Sequence, residues 1–204
     1  RFPLELHHLT QAVKHINSSD YNIVHNSLNW YGVLSLQLIN KPHITTLHGM
    51  EDQAKFIYDQ YPDTPFVSIS NALRNYKPEL NYIDTVYNGI DFDKFTPSDK
   101  KEDYLSTAAR ICHQKGIHNA IKLAKLTNKK LLIAGVKDDP EYFKNEIEPH
   151  IDNDKIIYVG NVGQSEVHNL VAKAYAYLSL IEWEEPFGLS VAESIACGTP
   201  VIAT

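Results

Sequence analysis

Two kinds of segment alternate along the chain. Short runs rich in β-branched and aromatic residues predict strands, and longer runs with apolar residues at helical spacing predict helices. Strands are predicted at residues 22–25, 43–47, 65–69, 82–87, 104–108, 130–134, 155–159, 175–180 and 200–203. Helices are predicted between them at residues 6–16, 30–39, 51–60, 71–76, 117–126, 140–150, 165–174 and 189–196. This alternation is typical of βαβ units, so we expect an α/β protein with parallel sheets.

The stretch from Asp91 to Asp103 departs from this alternation. It mixes Pro97 with charged residues and has no periodicity, a composition typical of a linker. We therefore predict a domain boundary near Ser98. Residues 1–98 and residues 99–204 are each expected to form a Rossmann-like unit with a parallel sheet.

The composition limits the class of protein. Of the 204 residues 43% are hydrophobic, and the mean hydropathy of −0.31 is typical of a globular protein with a core. No apolar run approaches the roughly 20 residues that span a bilayer, so no transmembrane segment is expected. A net charge of −6 disfavours nucleic acid as the main partner. Cys112 and Cys197 have no metal-ligand or disulfide spacing, which fits a reducing cytoplasm.

Two carboxylates eight positions apart, Glu185 and Glu193, bracket a Pro-Phe-Gly turn near the end of the sequence. An amphipathic run follows the turn and predicts a helix. The N–H groups of Gly188, Leu189 and Ser190 would be unpaired at its start, where the helix dipole favours an anion such as a diphosphate. Hydroxyls at opposite ends of the molecule that carries the diphosphate could donate to the two carboxylates. The alternative is an ordinary helix start with a solvated Glu193.

A second cluster, Arg110 and Lys115, follows the strand that opens the second half of the chain. A diphosphate leaving group gathers negative charge as a sugar departs from it. Two cations at a strand end would stabilise that charge more in the transition state than in the ground state. The guanidinium offers a planar fork to phosphate oxygens, and the ammonium offers a compact charge. Taken alone, the pair could equally be two solvated loop cations.

Together these motifs resemble those of the retaining glycosyltransferases of family 4, which have the GT-B fold. The segment from Glu185 to Glu193 resembles the family's E-x7-E motif, and Arg110 and Lys115 match the cationic positions of its G-R-x4-K-G motif. The resemblance implies that Glu185 binds the hydroxyls of the donor sugar and Glu193 binds the ribose. The turn that contains Phe187, together with Arg110 and Lys115, would hold the diphosphate.

Further positions take a role only from this resemblance. His48 ends a predicted strand, and a family histidine at this place reaches across the cleft to the donor sugar near the reacting carbon. His48 and Glu185 are therefore the implied catalytic residues. Asn161 and Val162 follow a strand that resembles the family's F-x-G-x-V segment, whose backbone binds the edge of the nucleobase. His25, another histidine at a strand end, is expected to be architectural.

The sequence departs from the family pattern in several places. Ala109 replaces a glycine, which is expected to crowd its turn, and Tyr87 replaces a proline in the connector. The family's first strand with its Gly-rich turn has no counterpart, nor do its closing helices. We therefore expect a partial chain, incomplete in the N-terminal unit and at the C-terminal end. Asp91 and Asp93 resemble the metal-binding Asp-x-Asp pair of another glycosyltransferase fold, but their position in a connector argues against a metal site.

The resemblance implies a retaining hexosyltransferase of GT-B type, in which residues 1–98 form the acceptor-side unit and residues 99–204 bind the donor. The implied donor is a nucleoside diphosphate sugar, with a UDP-sugar favoured over a GDP- or ADP-sugar. The acceptor, whether a sugar, a lipid or a small molecule, stays open. No metal and no organic cofactor is implied. The expected location is the cytoplasm, with peripheral attachment to the inner membrane face left open.

Two alternatives keep the same motifs. The first is another GT-B enzyme, such as a sucrose- or trehalose-type synthase or a phosphorylase, although no lysine stands out as a pyridoxal-phosphate site. The second is a non-catalytic or truncated module that binds a nucleotide sugar without turning it over.

Overall fold

The computed structural model describes residues 2–204 and divides into two compact units, which join in sequence between Asn88 and Gly89. This division comes earlier than the boundary predicted near Ser98. The reason is that the connector packs on the second unit. The ring of Phe95 lies 4.4 Å from that of His168, measured between centroids, and Pro97 lies against Gly198. The aperiodic stretch is therefore part of the second unit and not a free linker.

The first unit contains a parallel sheet of four strands, paired in the order β1-β2-β3-β4. A 3₁₀ turn at Asp52–Ala54 leads directly into its third helix. The elements in chain order are α1 (Phe2–Asn17), β1 (Val24–Asn26), α2 (Asn29–Leu36), β2 (His43–Leu47), α3 (Lys55–Gln60), β3 (Phe66–Ser68), α4 (Asn71–Tyr76) and β4 (Tyr82–Thr85).

Buried apolar side chains and one helix cap explain this local structure. Leu47 of β2 and Phe66 of β3 are completely buried, and the ring of Tyr58 on α3 meets the Phe66 ring edge-on at 5.8 Å. At the start of α4, the hydroxyl of Ser70 accepts a hydrogen bond of 2.9 Å from the N–H of Leu73. This contact satisfies a backbone donor that the helix itself cannot pair.

The second unit contains a parallel sheet of five strands. The second helix of this unit continues as a π turn at Phe143–Ile147 and a 3₁₀ turn at Glu148–His150. The elements in chain order are β5 (Tyr104–Ala108), α5 (Ile117–Thr127), β6 (Lys130–Ala134), α6 (Pro140–Tyr142), β7 (Ile156–Gly160), α7 (Gln164–Lys173), β8 (Ala176–Ser179), α8 (Leu189–Ala196) and β9 (Val201–Ala203).

Helices cover both faces of this sheet. Along β8, Ala176 and Leu178 join the cluster packed under α5 and α6, whereas Tyr177 between them joins the cluster under α7 and α8. This alternation follows from the period of two residues in a strand. The predicted α/β class with parallel sheets is therefore confirmed. None of the helices among residues 2–204 combines the length and apolar character that a membrane span needs.

The strand order of the second sheet, β7-β6-β5-β8-β9, reverses at β5. The chain moves outward from β5 to β7 and then returns to the other side of β5 as β8. Open parallel sheets bind ligands at the carboxyl ends of the strands beside such a reversal. A ligand site is therefore expected at the segments after β5 and β8. These segments contain Arg110, Lys115, Glu185 and Gly188.

Candidate functional site

A cavity of about 190 Å³ opens in the second unit at the carboxyl ends of β5, β8 and β9. The strands contribute Thr107, Ser179 and Ala203 to its wall. The segments after β5 and β8 contribute five of the residues singled out from the sequence. These five are Lys115, Glu185, Phe187, Gly188 and Ser190.

Lys115 and Glu185 form an ion pair at the edge of this cavity. The indole N–H of Trp183 donates to the same carboxylate oxygen, Oε2, at 2.9 Å, and the Lys115 ammonium lies 5.3 Å from the centre of the Trp183 ring. The side chains of the ion pair are only 16% and 24% exposed. Because two donors share one poorly solvated carboxylate, they hold Glu185 in place beside the cavity.

The start of α8 forms another part of the wall. Gly188 precedes the helix in the left-handed conformation, with φ 81° and ψ 53°, and no side chain caps the helix. Within residues 2–204, the structure gives no hydrogen-bond partner to the N–H groups of Gly188, Leu189 and Ser190. Since Gly188 and Ser190 line the cavity, an anion there would meet these donors and the positive end of the helix dipole.

Tyr177 supports the floor of the cavity from β8. Its hydroxyl donates to the carbonyl of Ala108 at 2.9 Å, and the hydroxyl of Ser190 lies beside it. The side chain is almost completely buried, and burial raises the pKa of Tyr177. A neutral phenol therefore joins β5 to β8 next to the site.

Arg110 lies directly after the cavity residue Ala109, but its own side chain is not among those that line the cavity. Its guanidinium pairs with Asp138 at 2.6 Å, and the two side chains are 53% and 42% exposed. Gly135 approaches the backbone here, because a Cβ atom on Gly135 would lie only 1.8 Å from the Ala109 carbonyl oxygen. Arg110 is thus accessible, and its present partner is a surface carboxylate.

Glu193 is half-buried on α8 and lines a second, small cavity next to the first. Tyr177 and Ser190 line both cavities. No lysine, arginine or histidine of residues 2–204 pairs with the Glu193 carboxylate in the structure. Glu185 and Glu193 thus have opposite environments, since one is held by two donors and the other is left without a cation.

Three further predicted residues belong to other segments of the chain. Asn161 and Val162 follow the carboxyl end of β7, and neither lines the cavity. His48 is exposed at the carboxyl end of β2 in the first unit, where its backbone N–H donates to Asn29 Oδ1 at 3.2 Å. His25, expected to be architectural, shares a hydrogen bond of 2.8 Å with Thr46. The roles predicted for Asn161, Val162 and His48 stay predictions.

Sequence reasoning missed Trp183, Tyr177 and Asp138. A tryptophan two residues before Glu185 carries no motif of its own, and its role depends on how the loop folds back. Tyr177 lies within an apolar predicted strand, a place that indicates core packing and not a site. Asp138 follows β6, the strand next to β5. Its position at the carboxyl end of that strand was the one signal for a role in the site.

The family described as glycosyl transferases group 1 matches residues 90–204, which is more than half of the chain. The chain belongs to this family. An uncharacterized glycosyltransferase of Methanocaldococcus jannaschii is 22% identical over 225 aligned residues, which cover 90% of this chain and 57% of the relative. The chain thus spans little more than half the length of this relative.

Several solved structures are similar to this chain over almost its whole length. Anabaena HepE, in complex with UDP and glucose, matches with a TM-score of 0.80 and 16% identity over 96% of this chain and 62% of its own. Sucrose-phosphate synthase from Thermosynechococcus elongatus matches with a TM-score of 0.77 and 18% identity over 96% and 60%. AviGT4, a glycosyltransferase involved in avilamycin A biosynthesis, gives 0.69 and 21% over 96% and 59%. At such identities these likenesses show the fold alone, which is of GT-B type.

Proposed function

We propose that this group 1 protein transfers a hexose from a nucleoside diphosphate sugar to an acceptor hydroxyl with retention of configuration, as a member of glycosyltransferase family 4. The observation that carries the proposal is the cavity at the reversal of strand order. A cation, a carboxylate and an uncapped helix start border it together, through Lys115, Glu185 and Gly188.

The diphosphate is proposed to bind between Lys115 and the start of α8. Lys115 would exchange its carboxylate partner for phosphate oxygens, while the N–H groups of Gly188 and Leu189 donate from the other side. Charge accumulates on the leaving phosphate as the glycosidic bond breaks. Preorganised donors at that point lower the barrier because they bind the transition state more strongly than the ground state.

The remaining roles follow from the polarity of this arrangement. Glu185 precedes the helix and is proposed to accept hydrogen bonds from hexose hydroxyls once Lys115 turns to the phosphate. Glu193 lies inside the helix and is proposed to accept from the ribose. Arg110, which is exposed and reaches the surface beside Ala109, would leave Asp138 to bind a phosphate oxygen. Asn161 and Val162 would contact the nucleobase through their backbone, and His48 would contact the sugar.

The preferred donor is a UDP-sugar. Anabaena HepE, whose fold this chain shares, has been crystallised with UDP-glucose, which supports uridine over guanosine or adenosine. We propose that no metal ion assists the donor diphosphate, because two cations and a helix start already oppose its charge. The acceptor stays open, as do the cytoplasmic location and any peripheral attachment to a membrane.

Calorimetric titration with UDP, GDP and ADP tests the proposal. UDP is expected to bind with the lowest Kd, and the addition of Mg²⁺ is expected to leave that Kd unchanged. Failure of all three nucleotides to bind would refute a donor site in this cavity. A requirement for Mg²⁺ would refute metal-independent binding.

Turnover is tested separately with UDP-glucose and UDP-galactose in the presence of water alone and then of simple sugar acceptors. Proton NMR of the first product formed should show the α anomer, as retention requires. A β anomer would refute the retaining mechanism. Binding without any turnover would favour the non-catalytic alternative.

A further inference from the structure

Three metal-ligating side chains cluster in the second unit outside the donor cavity. They are His113 in the 3₁₀ turn after β5, His118 at the second position of α5, and Glu182 after β8. One ligand atom from each lies within 4.8 Å of the other two. None of the three lines the donor cavity, so the cluster is separate from the site already described.

The distances within this cluster suit a small tetrahedral ion. His113 Nδ1 lies 3.2 Å from Glu182 Oε2, and His118 Nε2 lies 3.1 Å from Glu182 Oε1. Ligand atoms about 2.1 Å from a tetrahedral Zn²⁺ are separated from one another by roughly 3.4 Å. The two contacts end on different oxygens of the Glu182 carboxylate, and each is close to that value. Side-chain movements within the 4.8 Å cluster would therefore place an ion between the three groups.

Neighbouring groups orient two of the three ligands. The Tyr142 hydroxyl accepts from the backbone N–H of His118 at 3.1 Å and lies 2.7 Å from its Nδ1. This contact engages Nδ1 and directs Nε2 toward Glu182. Asn119 donates to Glu182 Oε1 at 2.7 Å, and this hydrogen bond is the main reason that the pKa of Glu182 is lowered. Orienting partners of this kind are a regular part of metal sites in proteins.

We propose that His113, His118 and Glu182 bind a divalent transition-metal ion of the zinc class, with water as a fourth ligand. Two imidazoles favour zinc-like ions over Mg²⁺ or Ca²⁺, which prefer sets made only of oxygen. His118 is 12% exposed and Glu182 34%, so they form the inner wall. His113 is 67% exposed and leaves the ion a path from solvent.

The ion would connect two segments that border the donor cavity. One segment contains His113, Lys115 and His118, and the other contains Glu182 and Glu185. A backbone hydrogen bond of 2.9 Å, from the N–H of Glu182 to the carbonyl of Gln114, and the Lys115–Glu185 ion pair already join them. A bound ion would add a further connection and fix the spacing between the two segments. The proposal is independent of the donor chemistry, because its tests measure metal binding alone.

The first experiment titrates Zn²⁺ into tag-free protein that has been stripped with a chelator. Calorimetry is expected to give one tight site per chain. Replacing Zn²⁺ by Co²⁺ should give the intense visible absorption of a tetrahedral site. His113→Asn, which changes an exposed side chain and spares the fold, should weaken Zn²⁺ binding more than about 100-fold, since loss of an orienting partner alone costs about 10–100-fold.

Two further variants separate a metal site from hydrogen bonding alone. Tyr142→Phe keeps the buried ring but removes the hydroxyl beside His118, and it should weaken Zn²⁺ about 10–100-fold. His150→Ala removes a histidine far from the cluster in the fold, next to Lys125, and should leave the affinity unchanged. Equal Zn²⁺ affinity in the original protein and in His113→Asn would overturn the proposal. So would a Co²⁺ spectrum typical of octahedral coordination by water.

Discussion

Gly116 and Gly188 directly precede the two helices that follow β5 and β8, and they differ in how closely other atoms surround them. Gly116 precedes α5 with φ 61°, and Gly188 precedes α8 with φ 81°. Both adopt the left-handed conformation, and neither helix has a side-chain cap. Each glycine also ends a segment that contributes a charged residue to the proposed donor cavity, Lys115 in one case and Glu185 in the other.

The space around the two glycines is very different. A Cβ atom on Gly116 would lie 1.7 Å from the carbonyl oxygen of Leu180, a backbone atom that cannot move aside. A Cβ atom on Gly188 would have no neighbour closer than 3.8 Å. The first turn therefore packs directly against the end of β8, whereas the second leaves open space in front of the helix. The open turn is the one suited to receive a ligand.

Substitution of the glycines is the most severe test of this comparison. Gly116→Ala combines left-handed strain with a clash against backbone, so it should lower the free energy of unfolding by more than about 3 kcal/mol. Gly188→Ala has only the strain and should cost about 1–2 kcal/mol. Urea unfolding followed by circular dichroism compares the two variants. Equal losses would show that the contact with Leu180 does not distinguish the turns.

Replacement of Lys115, which directly precedes Gly116, is expected to have the next largest effect. Lys115→Ala should raise the Kd for UDP about 10- to 100-fold through the loss of a charge-assisted hydrogen bond. It should also lower the free energy of unfolding by about 1–3 kcal/mol, because Glu185 loses a partner in a poorly solvated place. Lys122→Ala, an exposed lysine on α5, is the matched control and should change neither quantity. An unchanged UDP affinity in folded Lys115→Ala would contradict the proposed phosphate role.

Arg110 should affect binding without affecting folding. Its pair with Asp138 is exposed, so Arg110→Ala should change the free energy of unfolding by less than about 1 kcal/mol. The Kd for UDP should nonetheless rise about tenfold or more if the guanidinium binds phosphate. Asp138→Asn removes the competing partner and should leave UDP binding unchanged or tighter. Weaker UDP binding in Asp138→Asn would mean that the ion pair, and not the free guanidinium, supports the site.

The smallest effects concern the carboxylates on either side of the open turn. Glu185→Gln should leave UDP binding intact and weaken UDP-glucose about two- to tenfold, since one hydrogen bond to the hexose loses its charge. Glu193→Gln should weaken both ligands by a similar factor through the ribose. Calorimetry with UDP and UDP-glucose on both variants resolves the pattern. The opposite pattern would mean that the donor lies in the reverse direction along the turn.

Much of the fold could be read from residue patterns. The bounds of β2, β5, β6, α4 and α8 agree with the predicted residues, because alternation and helical spacing are strong in these segments and turns flank them. The continuous helix predicted at residues 140–150 was wrong in detail. Pro149 lacks a backbone donor, and that stretch ends as a π turn and a 3₁₀ turn.

The candidate site was predictable only in part. The motifs identified Lys115, Glu185 and Gly188, and the structure brings these residues to one cavity. The sequence could not reveal that Lys115 pairs with Glu185 or that His113 and His118 meet Glu182. Those contacts join the segments after β5 and β8 and depend on how closely the two approach. The spacing of residues along the sequence reflects local structure and says little about the distance between two separate segments.

Because Phe95 packs on the second unit, it limits where a fragment that contains this unit can begin. A fragment that begins at residue 99, where the sequence suggested a linker, would remove Phe95 and Pro97 from the surface they cover. The apolar cluster around Val171 and Cys197 would then be open to water. Exposed apolar patches of this kind promote aggregation. A fragment that begins at Gly89 keeps the cover, and it is the one we expect to express as a soluble, folded unit suitable for nucleotide titration.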